Sequence, residues 1–235
     1  MRSSVQKHLL AAALLCCAAQ ARAQLRPAVV ELFTSEGCSS CPPAEAYIGE
    51  LAQRPNVLAL AFHVDYWDDL GWRDRFGLPQ SVLRQRTYAK ALGLASVYTP
   101  QVVLDGRGDF VGSDVAGINK RLAENRRGVA VVVAVHDGEV VIDLGAQEGV
   151  RESDVVLIAY QRSAVSAIGR GENSGRTLQE FNIVRGIQTL GSWDGRSQQY
   201  RASIKSLPSD STDVAVLVQP QGQGPIVGAA MRALR

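Results

Sequence analysis

Residues 29–43 read VVELFTSEGCSSCPP. The apolar run at 29–33 predicts a buried strand. Pro42 and Pro43 predict a helix that begins there and extends to about residue 54, because proline is tolerated in the first helical turn. Cys38 and Cys41 therefore stand between a buried strand and a helix N-terminus. Unpaired backbone N–H groups and the positive end of the helix dipole favour a thiolate at that place.

The spacing of the two cysteines suits reversible disulfide chemistry. Two intervening residues let the sulfur atoms approach within bonding distance, which gives a small ring that opens and closes readily. We expect Cys38 to be the more exposed cysteine and to attack a partner. Cys41, one turn into the helix, is then expected to resolve the mixed disulfide.

The first 23 residues have the features of a secretory signal peptide. Arg2 and Lys7 precede an apolar stretch at 9–19, and Ala-Arg-Ala at 21–23 forms a cleavage site. A helix that spans a bilayer needs about 20 apolar residues, and this stretch is shorter. The sequence therefore predicts an exported protein, periplasmic or secreted, that is not inserted in the membrane after cleavage.

The composition describes an ordinary soluble globular protein. Of its 235 residues, 46% are hydrophobic and 20% are charged, and the formal net charge is +2. Lysine and arginine form no basic run, so no nucleic-acid partner is expected.

The hydrophobic pattern divides the rest of the chain near residue 127. Residues 24–127 alternate apolar strands with helical segments at 42–54, 81–92 and 114–125, which is typical of an α/β domain. Residues 128–235 have the strand and turn spacing of an all-β, sandwich-like domain of about 105 residues. The predicted strands of that second domain are 129–135, 139–144, 154–160, 177–183, 199–204 and 213–219.

A second motif lies at residues 98–101, which read YTPQ and precede a strand that enters a hairpin at Asp105-Gly106. With the CxxC pair, this order of elements resembles the thioredoxin superfamily. The resemblance implies a thioredoxin-like fold for residues 24–127. It also implies that Pro100 is cis and that Thr99 and Pro100 lie beside the disulfide and bind the substrate chain.

The resemblance extends further along the chain. Residues 30–43, AFHVDYW at 61–67, YTPQ at 98–101 and IGRGENSGRTL at 168–178 are similar to a secreted bacterial thioredoxin-like family, domain of unknown function 1223. The similarity covers nearly all of the chain after the signal peptide. It implies a fold and a redox site, but that family has no assigned physiological substrate.

Three further residues are candidates for a proton relay. Glu31 lies on the strand before the CxxC motif, roughly where thioredoxins keep a buried acid, although a strand-end acid would fit equally well. His63 and Asp65 alternate at the end of the next strand, so they face one side and are expected to form a structural His–Asp pair. Glu36 is interpreted as a surface charge.

Two other groups have mainly structural interpretations. Tyr66, Trp67, Trp72 and Phe76 are expected to form the core of a long insertion rather than a substrate-binding wall. The polar cluster Arg170, Glu172, Asn173 and Arg176 is expected to shape a loop, with anion binding or contact with the first domain as alternatives.

Three functions remain open at this point. The favoured one is a thiol–disulfide oxidoreductase that needs no cofactor and acts through Cys38 and Cys41 on protein thiols or disulfides, with an unidentified redox partner. The second is a binding protein whose disulfide is a static staple, as an oxidising compartment allows. The third is a module in which Cys38, Cys41 and His63 hold Cu(I) or zinc.

Overall fold

A computed structural model describes residues 24–235, so the predicted signal peptide at 1–23 lies outside the described residues. The described chain has three α-helices: α1 (Pro42–Leu51), α2 (Pro79–Leu92) and α3 (Val115–Leu122). Short 3₁₀ turns lie at Asp68–Leu70 and Ile204–Ser206. The strands are β1 (Gln24–Leu25), β2 (Ala28–Thr34), β3 (Val57–His63), β4 (Gln101–Leu104), β5 (Gly108–Val111), β6 (Arg127–Gly128), β7 (Val131–His136), β8 (Glu139–Leu144), β9 (Ser153–Ala167), β10 (Thr177–Trp193), β11 (Gln198–Ser203), β12 (Asp213–Pro220) and β13 (Gly228–Ala233).

One mixed sheet runs through both halves of the chain. Its eight strands lie in the order β13-β12-β9-β10-β3-β2-β4-β5. Strand β3 pairs in parallel with β2 on one side and with β10 on the other, and the remaining pairs are antiparallel. The sheet therefore crosses the boundary predicted near residue 127. The division into domains 24–127 and 128–235 stays a prediction.

The first half has the predicted mixed α/β character. Strands β2 and β3 are buried along their whole length. Helix α1 packs on one face of them through Ala44 and Ile48, next to Leu32, whereas α2 packs on the other face, with Tyr88 against Phe33. The helix bounds follow local chemistry. Both α1 and α2 begin at a proline, and α3 is capped by the Asp114 carboxylate, which accepts a 2.9 Å hydrogen bond from the Gly117 N–H.

The second half contains strands and one 3₁₀ turn, as its turn spacing predicted. A three-stranded sheet, in the order β11-β8-β7, packs on β9 and β12 through an apolar cluster centred on Trp193, Ile142 and Val216. Strands β9 and β10 are much longer than predicted, at 15 and 17 residues, and form one hairpin. Its tip, residues 168–176, extends over the first half.

A single asparagine helps to join this hairpin to β3. The register of β10 and β3 pairs Ile183 with Ala61. The preceding residue, Asn182, has a φ of 46° and donates its side-chain amide to the Ala59 carbonyl oxygen at 2.8 Å. Asparagine tolerates the left-handed region better than most residues. Within residues 24–235, no helix is long and apolar enough to cross a membrane.

Candidate thiol–disulfide site

Cys38 and Cys41 form a disulfide at the start of α1, with their Cα atoms 5.4 Å apart. Cys41 is the N-cap residue of the helix, and its carbonyl oxygen accepts hydrogen bonds from the N–H groups of Ala44 and Glu45. The Cys38 sulfur lies 3.3 Å from the Ser40 hydroxyl oxygen. The disulfide therefore stands at the strand-to-helix junction that the sequence predicted.

Both cysteines are buried, so the expectation that Cys38 is the more exposed of the two is wrong. The exposed fraction is 0% for Cys38 and 1% for Cys41, whereas Ser39 and Ser40 between them are exposed. The hairpin tip at 168–176 hydrogen-bonds to the loop that carries Cys38, a contact that the sequence offered only as one alternative.

Asn173 and Glu172 hold the hairpin tip against the CxxC loop. The Asn173 side-chain amide donates 2.9 Å hydrogen bonds to the carbonyl oxygens of Glu36 and Cys38. Glu172 accepts a 3.1 Å hydrogen bond from the Ser39 N–H, and hydrogen bonds from Ser39 lower the pKa of Glu172. These two residues therefore contact the first half of the chain, which was one of the alternatives for this polar cluster.

The Thr99–Pro100 peptide bond is cis, as the resemblance implied. Trp67 connects it to the CxxC loop, because its indole N–H donates to the Thr99 hydroxyl at 2.9 Å while its Cβ packs against Gly37. On the other side, Gly112 separates Pro100 from Ala44 of α1, where a Cβ would lie 2.8 Å from Pro100 and 2.7 Å from Ala44. The cis bond and the first turn of α1 are therefore held close together.

The aromatic segment after β3 is only partly the core predicted for it. Phe76 is buried, but Trp67 and Trp72 are half-buried and hydrogen-bond to residues that flank the disulfide. The Trp72 indole N–H donates to Glu36 at 2.6 Å. Glu36 is itself 1% exposed, so its interpretation as a surface charge is wrong.

His63 pairs with Asp74 rather than with Asp65. The His63 Nδ1 atom lies 2.8 Å from the Asp74 carboxylate, and its Nε2 atom lies 3.6 Å from that of Glu45. Burial opposes the charged imidazole, but Asp74 and Glu45 outweigh it and raise the pKa of His63 to about 9. Burial likewise opposes ionisation of Asp74, but His63 outweighs it and lowers that pKa. Asp65 is half-buried and lies outside this pair, since the loop after β3 turns back and brings Asp74 to the imidazole.

Sequence reasoning missed two further acids beside the disulfide. Glu45 and Glu180 line a cavity together with Cys41, Glu36 and His63. Burial raises the pKa of Glu45, and it raises the pKa of Glu180 to about 8. Glu45 follows Cys41 by four residues on α1, a spacing that places two helical side chains on one face. That spacing was a usable signal for Glu45, whereas Glu180 depends on the hairpin's position.

Glu31 is buried in a polar network on the opposite side of the sheet from α1. Arg84 of α2 donates to its carboxylate at 2.5 and 2.9 Å, and the Tyr88 hydroxyl donates at 2.5 Å. Gln219 of β12 bonds to Arg84 and Tyr88. Arg84 and Tyr88 are the hydrogen-bond partners of the Glu31 carboxylate in the described chain. Neither they nor Gln219 belong to the disulfide site. Its part in a proton relay stays a prediction.

The residues that the metal hypothesis requires do not form a ligand cluster here. Within 24–235, no group of three or more His, Cys, Asp or Glu side chains is arranged to hold a metal ion. His63 lies with Glu45 in the cavity that Cys41 also lines, and its Nδ1 atom is engaged by Asp74.

Comparison with known proteins identifies the family of the chain. Residues 29–219 match the family described as "Protein of unknown function (DUF1223)". The chain belongs to this family. The matched region contains the CxxC pair, His63, the cis Thr99–Pro100 bond and the hairpin tip, and the match confirms the resemblance to domain of unknown function 1223.

A solved structure is similar to the chain over most of its length. The crystal structure of a protein from Agrobacterium tumefaciens is similar to this chain, with 34% sequence identity and a TM-score of 0.79. The similarity covers 91% of this chain and 97% of that one. No curated protein matches the chain.

Proposed function

We propose that this DUF1223 protein is an exported, thioredoxin-like thiol–disulfide oxidoreductase that acts on protein thiols or disulfides through Cys38 and Cys41. The observation that carries the proposal is the position of the disulfide. It lies at the N-terminus of α1, whose first turn approaches the cis Thr99–Pro100 bond across Gly112. The helix N-terminus stabilises a thiolate. The resemblance to thioredoxins implies that Thr99 and Pro100 bind the substrate chain.

The proposed chemistry is a two-electron exchange between sulfur atoms. A substrate thiolate attacks Cys38, the S–S bond breaks, and Cys41 leaves as a thiolate while a mixed disulfide forms on Cys38. A second thiolate of the substrate then attacks the substrate sulfur atom of the mixed disulfide. This step forms the substrate disulfide and releases Cys38 as a thiolate. The substrate is thereby oxidised to a disulfide and the CxxC pair is reduced; the reverse sequence reduces a substrate disulfide.

Each turnover requires a second partner and access to the sulfur atoms. The described chain has no further cysteine to pass electrons on, so another redox protein of the periplasm or the extracellular space must restore the CxxC pair. Because Cys38 is buried, residues 168–176 must move aside before a substrate thiolate can reach it. The hairpin tip thus controls access in this proposal.

The test is a trapping experiment in the exporting cell. Cys41→Ser leaves Cys38 without its resolving thiol, so mixed disulfides with substrates should accumulate and disappear on reduction. Cys38→Ser is the matched control, because it removes the attacking sulfur and should trap nothing. Equal trapping by the two variants, or none by either, would count against the proposal.

A static structural disulfide is the second candidate, and one observation favours it. Cys38 and Cys41 are fully covered, and Asn173 and Glu172 bond to the backbone between residues 36 and 39. In this second candidate, the buried bond has a purely structural role and fixes the start of α1. In that case neither cysteine variant traps a partner, and both lower the stability of the protein.

A further inference from the structure

A cavity of about 540 Å³ lies between α1 and the first residues of β10. Its side walls are largely apolar, because Pro42, Ala46 and Gly49 of α1 lie across from Leu178 and Phe181 of β10. Gly49 allows a close approach here, since a Cβ at that position would lie 2.6 Å from a ring carbon of Phe181. The rim is formed by exposed polar residues, and the inner end is acidic.

The acidic end carries buried polar atoms without partners. Both carboxylate oxygens of Glu45, one carboxylate oxygen of Glu180 and the Nε2 atom of His63 have no hydrogen-bond partner within the described chain. Glu45 is 6% exposed, Glu180 and His63 are each 1% exposed, and all three line the cavity. Buried polar groups in folded proteins are nearly always hydrogen-bonded, so several unpaired atoms around one cavity indicate a missing partner.

The charges at the acidic end indicate that the missing partner is a cation. Asp74 forms an ion pair with His63, and within residues 24–235 the only ion-pair partner of Glu36 is the exposed Arg75, at 3.8 Å. No lysine or arginine is among the residues that line the cavity in the described chain. Asp74, Glu45 and Glu180 therefore share the single positive charge of His63, and a second cation placed between Glu45 and Glu180 would lower the cost of their ionisation.

We propose that this cavity binds the protonated amine or guanidinium group at the end of an alkyl chain, with the charged group against Glu45 and Glu180. The alkyl portion would lie along Phe181 and the α1 backbone. The rim, where Glu50, Gln53 and Gln179 are exposed, is open to solvent, so the group can belong to a free small amine or to a lysine or arginine side chain on a polypeptide. The site needs no redox activity of the cysteines.

Calorimetric titration of the exported, disulfide-intact protein tests the proposal. At pH 7 we expect n-pentylamine to bind saturably at one site and 1-pentanol, its uncharged counterpart, to bind at least tenfold more weakly. A blocked tripeptide, acetyl-Gly-Lys-Gly-amide, distinguishes the two sources. Binding of the amine alone identifies a small-molecule site, and binding of both shows that a client side chain can enter.

Three variants locate the binding in the cavity. Glu45→Gln and Glu180→Gln should each weaken pentylamine at least tenfold, whereas Glu148→Gln, the same change on an exposed loop, should not. Ala46→Phe fills the cavity from its exposed wall and leaves both acids intact, so it should abolish binding even if an acid variant folds poorly. Circular dichroism checks that each variant is folded.

Proton release gives an independent readout. The charged and polar groups that face Glu180 are His63 of β3, Glu36 of the CxxC loop, Glu45 of α1 and the Ser166 hydroxyl of β9. Because a bound cation favours the ionised carboxylate, pentylamine should release protons at pH 7, seen as a dependence of the heat on buffer ionisation enthalpy. The proposal is overturned if amine and tripeptide both fail to bind, if the alcohol binds as well as the amine, or if folded acid variants bind normally.

Discussion

The Asn173 side-chain amide donates a 2.9 Å hydrogen bond to the carbonyl oxygen of Cys38, across 135 residues of sequence. Its second hydrogen bond, to the Glu36 carbonyl oxygen, is equally short. One asparagine in the second half thus holds the loop that carries the first cysteine of the disulfide. The relationship ties access to the sulfur atoms to the position of the β9–β10 hairpin tip.

Removal of the Asn173 amide should expose the disulfide. Asn173→Ala leaves the Glu36 carbonyl oxygen without a donor and the Cys38 carbonyl oxygen with only the Cys41 N–H, which costs about 1–3 kcal/mol of unfolding free energy. We expect dithiothreitol to reduce the Cys38–Cys41 bond several-fold faster in this variant, as followed by alkylation and mass spectrometry. Arg170→Ala, in an exposed residue of the same tip, is the control and should leave the rate unchanged. Equal rates in all three proteins would show that the tip does not limit access.

The buried imidazole and Glu180 should make the protein less stable at alkaline pH. Because the pKa of His63 is about 9 in the folded protein against an ordinary 6.5, its contribution is complete below pH 6.5 and is lost as pH rises through 9. That contribution is on the order of 3 kcal/mol. Glu180 acts in the same direction, since its pKa of about 8 exceeds the ordinary 4.5 and stability falls between these values.

Urea unfolding at pH 6 and pH 9 measures this effect. The unfolding free energy should be lower at pH 9, and His63→Gln should reduce the difference between the two values. His136→Gln, in a half-exposed histidine side chain, should leave the difference intact. A wild-type protein equally stable at both pH values would refute the assignment of a charged His63 at neutral pH.

The ion pair of Glu31 and Arg84 should be structural. Glu31→Gln leaves the buried Arg84 charge without its partner, which costs about 3–5 kcal/mol of unfolding free energy. Because the pair lies across the sheet from α1, the pH profile of disulfide exchange should not change. Replacement of both residues, Glu31→Leu with Arg84→Met, should recover part of the lost stability. A shifted pH profile in Glu31→Gln would instead identify the carboxylate as the proton relay that the sequence suggested.

Close packing at Gly112 should be required for the contact between the cis-proline and α1. In Gly112→Ala, the added methyl group would lie within 3 Å of both Pro100 and Ala44, so these two residues must separate. We expect a loss of about 1–3 kcal/mol of unfolding free energy. We also expect slower exchange with a model dithiol. Gly108→Ala, on the same β-hairpin with open space around it, is the control. Normal exchange in a folded Gly112→Ala protein would separate the cis-proline from the chemistry.

Local chemistry made much of the first half predictable. Paired prolines at residues 42 and 43 set the start of α1, and the apolar runs of β2 and β3 were long enough to identify as buried strands. Strand β13 was missed because its sequence, GAAMRA, contains no β-branched or aromatic residue. It forms because β12 offers it an edge to pair with.

Long-range contacts account for the errors at the site. Asp65 stood two residues from His63 and was paired with it, but the loop after β3 turns back and places Asp74 there. Glu36 looked like a surface charge because nothing local covers it, and its partner Trp72 is 36 residues away. Cys38 is buried beside the hairpin tip at 168–176. The sequence of that tip is polar, but it does not indicate which part of the chain the tip contacts.

The most direct test of the proposed function is the reduction potential of the Cys38–Cys41 bond, measured by equilibrating the purified protein with glutathione buffers. A thiol–disulfide oxidoreductase predicts a value between about −120 and −270 mV, the working range of such proteins. A value below about −300 mV marks a structural disulfide and would contradict the account.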